Sequence, residues 1–325
     1  MLSERDNFLR ALGGDVPEYI PRFTLLWGTR PSILNGARVK GVGKDIFGVE
    51  WTNEGSAFEE AIPKTSDFIL TDIRQWRDVI KFPDFSNVDW ETMSRKDLQN
   101  RNPELPLGGG LGGGVFQNLV AFMGFSEGLL ACFEEPEEVI ELINYLCDSY
   151  LSLADNFLKY YKPDYITFGD DIATERSTFV SLDMFRGIFA PVWRRYIKYF
   201  KDRGYLVSCH NCGHFEAFLD DAVDMGINSW DPAQTSNDLL AIKKKFGNRL
   251  LVCGGFDARA FLPHIDISEE EVRAAIRKLL DDLAPGGGYA FGGINRSISE
   301  SHPLCKQRAE WAEDEFAKIR ATYYQ

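Results

Sequence analysis

The chain is poor in the residues that make covalent and coordination bonds: its 325 residues include only six cysteines and four histidines. Six cysteines are too few to staple a chain of this size, which excludes a disulfide scaffold. Positive charge is also in deficit, with 36 Lys and Arg against 49 Asp and Glu, for a net charge of −13. A chain this acidic lacks the cationic face that a phosphate backbone demands, so nucleic acid is excluded as a partner. No run approaches eighteen consecutive apolar residues, and no membrane span is expected. The opening "MLSERDNFLRALGG" has neither a long apolar core nor a cleavage signature, so no signal peptide is expected and the expected compartment is the reducing cytoplasm. A hydrophobic fraction of 44% is ample for a full core and excludes general disorder. Pro/Ser-rich linkers and fixed-period repeats are missing too, so residues 1–325 read as a single domain.

What is present has a rhythm. Ser3 to Leu12 reads as a short capped helix with Phe8, Leu9 and Leu12 on one side, and "YIPRFTLLWG" as a buried strand. Residues 35–100 mix aromatic and acidic residues and resist assignment. From residue 103 strands and helices alternate strictly: "PELPLGGG", "DYITFGDD", "YLVSCHNCG", "INSWDPA", "RLLVCGGFD" and "YAFGGIN" are strands. Between them lie amphipathic helices, including one over 137–161, one opening on a Ser268 cap, and a final one over roughly His302 to Tyr323. Alternation of this kind implies parallel strands with right-handed crossovers. With "RFTLLW" and one strand from 35–100 the count reaches eight. The predicted fold is α/β, a (β/α)8 TIM barrel whose first 100 residues hold the N-terminal helix and a less regular elaboration. A doubly wound sheet is the structural alternative.

Half of the histidines and a third of the cysteines fall in "CHNCGH", Cys209 to His214. On a strand, His210 and Cys212 share one face and Cys209 takes the other. Both lie at the strand's carboxyl end, where barrel active sites are built. Cys253 ends another strand, and a His, Cys, Cys set from two strands is a soft-ligand cradle for zinc with a position left open. Cys253 packed as a small hydrophobe beneath the Gly254–Gly255 turn is the competing reading, and it is the preferred one for Cys132, Cys147 and Cys209. The Cys209–Cys212 spacing also matches a redox pair, although the two straddle a strand face rather than opening a helix. Asp170, Asp171 and Glu175 follow "YITFG", and Asp231 follows "INSW", which supplies carboxylates at strand ends for substrate contact or proton handling. "LGGGLGGG", 107–114, contains G-x-G-x-x-G only because it is nearly all glycine, so it reads as a mobile or tightly turning loop and a candidate lid.

Several stretches together resemble the uroporphyrinogen decarboxylase superfamily. They are "SERDNFLRALGGDVPEYIPRF", "MGFSEGLLACFEEPEEVIEL", "YITFGDDIATE", "HNCGHFEAFLDDAVDMGINSWDPAQ" and "GGFDARAFL", with "SEEEVRAAI" and "PGGGYAF" following. The resemblance runs over nearly the whole chain and implies a (β/α)8 barrel. True decarboxylases of that family grip a porphyrinogen's carboxylates with an arginine-rich segment, whereas "FTLLWGTRPSIL" offers only Arg30. The corrinoid-dependent methyltransferases of the family hold zinc with a His-x-Cys pair, which His210 and Cys212 match, and with a later cysteine. That later cysteine follows the last strand in the thiol-methylating enzymes, but "YAFGGIN" has none, so Cys253 is the substitute. The resemblance is therefore to the O-demethylase type. It implies methyl transfer between a small methoxylated substrate, an aryl methyl ether, and cob(I)alamin or methylcobalamin carried by a partner corrinoid protein. The implied metal is zinc on His210, Cys212 and Cys253, with the fourth position open to Asp171, Glu175, water or substrate, and with Asp171 and Glu175 as catalytic carboxylates. Substrate contacts fall to Trp27, Asp170, Asp231 and Asn295, and a homodimer is in keeping with the family. A metal-free tetrapyrrole decarboxylase and a non-catalytic binding protein on the same barrel are the competing functions.

Overall fold

Parallel strands joined by helices need both faces covered, and the chain supplies two separate apolar sets to do it. The computed structural model describes residues 1–24, 28–34, 42–54, 61–65, 67–112, 114–264, 266–293 and 301–324. Among them the strands are β1 (Gly28–Thr29), β2 (Gly43–Lys44), β3 (Glu50–Thr52), β4 (Ile62–Pro63), β5 (Gly108–Gly109), β6 (Tyr165–Gly169), β7 (Val207–His210), β8 (Ser229–Ala233), β9 (Leu251–Gly255) and β10 (Tyr289–Gly292). Seven of these form one sheet in the order β1-β5-β6-β7-β8-β9-β10, with every pairing parallel. The sheet curls back on itself. Just ahead of β1, Arg22 bridges Phe291 of β10, Phe23 N–H donates to the Phe291 carbonyl at 2.8 Å, and Phe291 N–H donates to the Pro21 carbonyl at 2.9 Å.

Alternation along each strand separates inside from outside. Ile166, Phe168, Val207, Cys209, Trp230, Val252 and Phe291 belong to the large core between the sheet and its outer helices. Tyr165, Leu251, Cys253 and Ala290 belong to a second, inner cluster, completed by Phe8, Ala11 and Leu12. Those last three are one face of the helix Glu4–Leu12, whose N-terminus is capped by Ser3 accepting from Asp6 N–H at 3.1 Å. The N-terminal helix therefore closes the floor of the barrel, and the carboxyl ends of the strands form the opposite rim.

The α/β barrel class stands, with two corrections of detail. The strand expected from 35–100 does not join the main sheet among the described residues. Those residues instead give a separate antiparallel sheet, β2-β3-β4. Asp45 organises it: its carboxylate accepts from Phe47 N–H, Val49 N–H and Trp51 Nε1–H at 2.9–3.0 Å, which fixes a hairpin rather than a crossover. The helix expected over 137–161 is two helices, Pro136–Leu151 and Ala154–Tyr161. At the break the Ser152 hydroxyl donates to the Ser149 carbonyl at 2.6 Å, and Leu153 N–H turns to Tyr150, so side chain and backbone compete for the carbonyls that would carry the helix on. The Ser268 cap is present as a full capping box with Glu271, and the last helix runs Pro303–Ile319 from a His302 cap. Among the described residues no single helix is long and apolar enough to cross a membrane. One pair bent by 111°, Val115–Met123 with Phe125–Glu134, passes on length and composition only, and most of the first helix is buried.

Candidate metal centre and active site

Parallel register places three neighbouring strand ends side by side: Gly169 pairs with His210, and His210 pairs with Asp231. The residue after each strand end then decides what meets at the rim. His210 is the last residue of β7, Cys212 follows two residues later, and Asp171 lies two residues past β6. Their ligand atoms gather within 4.8 Å of one another. His210 Nε2 is 3.7 Å from Cys212 Sγ and 3.8 Å from Asp171 Oδ1. A tetrahedral zinc with bonds of about 2.0–2.3 Å holds its ligands roughly 3.3–3.8 Å apart, a range that the two distances from His210 Nε2 meet. An oxygen, a nitrogen and a sulfur form a donor set of the kind zinc accepts. All three side chains are half-buried, so the group opens to solvent.

The support beneath the group is buried. Asp231 is 2% exposed, and its Oδ2 lies 2.6 Å from His210 Nδ1. With the Nδ1 proton shared with Asp231, the Nε2 lone pair is the one presented to Cys212 and Asp171. Ser208 donates to Asp231 Oδ1 at 3.2 Å, and Ser229 donates to Ser208 at 2.7 Å, so the hydrogen-bond chain continues into the barrel. For His210 burial is the largest influence and lowers its proton affinity. The charge and hydrogen bond of Asp231, then Cys212 and Asp171, outweigh it and leave the imidazole well above its ordinary value. Burial raises the Cys212 thiol, and His210 pulls the other way. A cation at this site therefore competes with protons on both side chains, and its binding weakens as pH falls.

The carboxylates predicted from the sequence divide by face. Asp171 accepts Cys212 N–H on Oδ1 at 2.8 Å and the Gln117 side-chain amide on Oδ2 at 2.9 Å. Asp170 points the other way, which corrects its assignment to substrate. It is fully buried, and its carboxylate accepts from Phe116 N–H, Gln117 N–H and Trp193 Nε1–H at 3.0–3.1 Å. Burial pushes Asp170 up to about 7 against the pull of those three donors. Asp231 is likewise a support for His210, buried under it, rather than a substrate contact. Glu175 is exposed on the turn between Ala173 and Thr178 and stands outside the group. Trp27 and Asn295 lie outside the described residues.

Cys253 is the larger correction. Its side chain is on the inner face and fully buried, in the apolar cluster of Phe8, Leu12, Leu251 and Ala290, its thiol is 3.7 Å from the Leu251 carbonyl, and it stands outside the group of ligand atoms. Burial first, then the Asp231 charge, push that thiol far above its ordinary value. Of the candidates for the remaining position, Asp171 is the one that joins His210 and Cys212. Cys209 is a free, fully buried cysteine in the outer core, on the opposite face from His210. His214 is held by the Ser236 carbonyl at 2.7 Å.

The described residues of the glycine run do not form a lid. Gly108 and Gly109 are β5 itself, and residues 107–111 are buried. A Cβ on Gly114 would lie 2.8 Å from the Gly169 carbonyl and 3.1 Å from Asp170, so the helix Val115–Met123 seats on β6 only because its first position is bare. Gly213 does the same for the Cys212 turn: its φ is +85°, and a Cβ would lie 2.4 Å from the Thr174 carbonyl.

These features can be set beside known proteins. The family model described as uroporphyrinogen decarboxylase (URO-D) matches residues 58–293, well over half of the chain. The chain belongs to the URO-D family. Among solved structures it is similar to a methyltransferase from Methanosarcina mazei, with a TM-score of 0.67 and 13% identity over 98% of this chain and 99% of the other. At that identity the likeness establishes the shared fold. No curated protein matches the sequence. Gln117 is the site residue that sequence reading passes over. Its only signal is its place in the first turn of the helix that follows the glycines.

Proposed function

We propose that this member of the URO-D family is a metal-dependent methyltransferase. It moves a methyl group between a small methoxylated substrate, an aryl methyl ether, and the corrinoid of a partner protein. The observation that carries the reading is the convergence of Asp171, His210 and Cys212 at the barrel rim over the buried Asp231. Zinc bound there would supply Lewis-acid polarisation of the ether oxygen as the phenolate leaves.

The chain's own residues do the rest. Asp231 holds the His210 ring in one orientation and one tautomer. Cys212, its amide tied to Asp171, presents its sulfur beside the imidazole. Three protein donors leave one position for the substrate oxygen, the arrangement of a catalytic rather than a structural zinc site. The rim faces solvent, as a site that must admit both an arene and a large cobalt nucleophile requires. The fold it shares with a Methanosarcina mazei methyltransferase is in keeping with this chemistry.

The test is a transfer assay with cob(I)alamin and a panel of methoxyarenes, run before and after metal removal by a chelator. The expected result is methylcobalamin formation that disappears with the metal and returns with added zinc. A metal-free decarboxylase would form no methylcobalamin with or without added zinc, and that outcome would end the methyltransferase reading.

A further inference from the structure

The Asp171 carboxylate is pinned from two sides before any ligand arrives. Oδ2 accepts the side-chain amide of Gln117 at 2.9 Å, and Oδ1 accepts Cys212 N–H at 2.8 Å while lying 3.8 Å from His210 Nε2. A carboxylate oxygen has two lone pairs, so Oδ1 can keep the amide and still face a cation, whereas Oδ2 is turned away toward the helix. Gln117 itself is fixed, because its backbone N–H donates to the buried Asp170 at 3.0 Å. The adjacent carboxylates thus divide the labour: Asp170 anchors the helix Val115–Met123, and that helix returns a side chain to Asp171.

We infer that Gln117 is a positioning residue that restricts Asp171 to one-oxygen coordination and so keeps a position on the metal open for substrate. The inference rests on the proposed metal site. A carboxylate binds a cation through one oxygen or two, and a second bond from Oδ2 would take the place that a substrate oxygen needs. The Gln117 amide competes for that oxygen. It acts through Asp171 and touches neither substrate nor metal.

The experiment uses the full chain and Co(II) alone as the probe. Cobalt reports coordination number directly, since the visible absorption of the four-coordinate ion is strong and weakens as a fifth ligand joins. Wild-type protein is expected to give the strong four-coordinate spectrum. Gln117→Met removes the amide at nearly constant volume. It is expected to weaken that absorption and to change Co(II) affinity by about 10–100-fold, the size of effect that partners behind metal ligands produce. Should Gln117→Met fail to fold, as judged by circular dichroism, Gln117→Leu also removes the donor to Oδ2 without adding a charge and is read the same way. A variant spectrum identical to wild type overturns this inference and leaves the metal site standing. Failure of the wild-type chain to bind Co(II) at all overturns both.

Discussion

Replacing His210 with alanine is expected to abolish tight metal binding and, with it, methyl transfer. His210 is the centre of the group: its Nε2 is within 4 Å of both Cys212 Sγ and Asp171 Oδ1, and its Nδ1 is bound to Asp231. Its removal leaves only two of the three ligands and takes from the Asp231 carboxylate, 2% exposed, one of its two hydrogen-bond partners, Ser208 remaining. Residues that merely orient metal ligands are worth about 10–100-fold in affinity, so loss of a direct ligand should exceed about 100-fold. Isothermal titration with zinc measures it. His210 is half-buried at the open rim, so the fold should survive, and an intact thermal transition beside the lost affinity distinguishes a site defect from a folding defect. Affinity and activity within a few-fold of wild type would remove His210 from the chemistry.

The second large effect is on stability. Asp170→Ala should cost about 3 kcal/mol or more, from the loss of a helix cap and the stranding of buried donors. The helix Val115–Met123 has Gly114 at its N-cap and no capping side chain of its own, so Asp170 does that work from 54 residues downstream for Phe116, and for Gln117 as well. The Trp193 indole loses its acceptor at the same time. Denaturant unfolding of the two proteins checks the value. The pH dependence has a definite sign. Asp170 holds its proton up to about 7 in the folded chain, against 3.8 for an ordinary aspartate. The folded state therefore binds more protons than the unfolded state between roughly pH 4 and 7. Over that window the wild type should lose stability as pH rises, and Asp170→Ala should lack this component. A loss under 1 kcal/mol with the same pH profile as wild type would contradict the capping role.

The two aspartates show how much of the site could be read in advance. Their location at a strand's carboxyl end was legible, as was the shared face of His210 and Cys212, because both follow from alternation and from where barrels place their chemistry. Alternation also holds the signal that consecutive residues of "DD" point to opposite faces. That signal separates the buried anchor from the site carboxylate, and it was available in the sequence. Asp231 was found but given the wrong task, because only the pairing of His210 with Asp231 reveals that the carboxylate sits behind the ring. Cys253 was misplaced for a related reason. Parity put it correctly on the inner face, but the same face carries an apolar cluster with Phe8 and Leu12 of the N-terminal helix, and Cys253 belongs to that cluster. Gln117 left no trace, since its function arises from a helix start brought against β6 by contacts more than fifty residues away in sequence. In the fold, the alternation after residue 103 carried the barrel, while the 35–100 region was opaque because aspartate-organised hairpins have no apolar period to read.

X-ray absorption at the zinc edge of the metal-loaded protein tests the central claim most directly, because it counts sulfur neighbours. Asp171, His210 and Cys212 predict a single sulfur at about 2.3 Å, with nitrogen and oxygen filling the remaining positions near 2.0–2.2 Å. Two sulfurs would bring Cys253 or another thiol into the shell, and none would remove Cys212; either result would contradict the site described above.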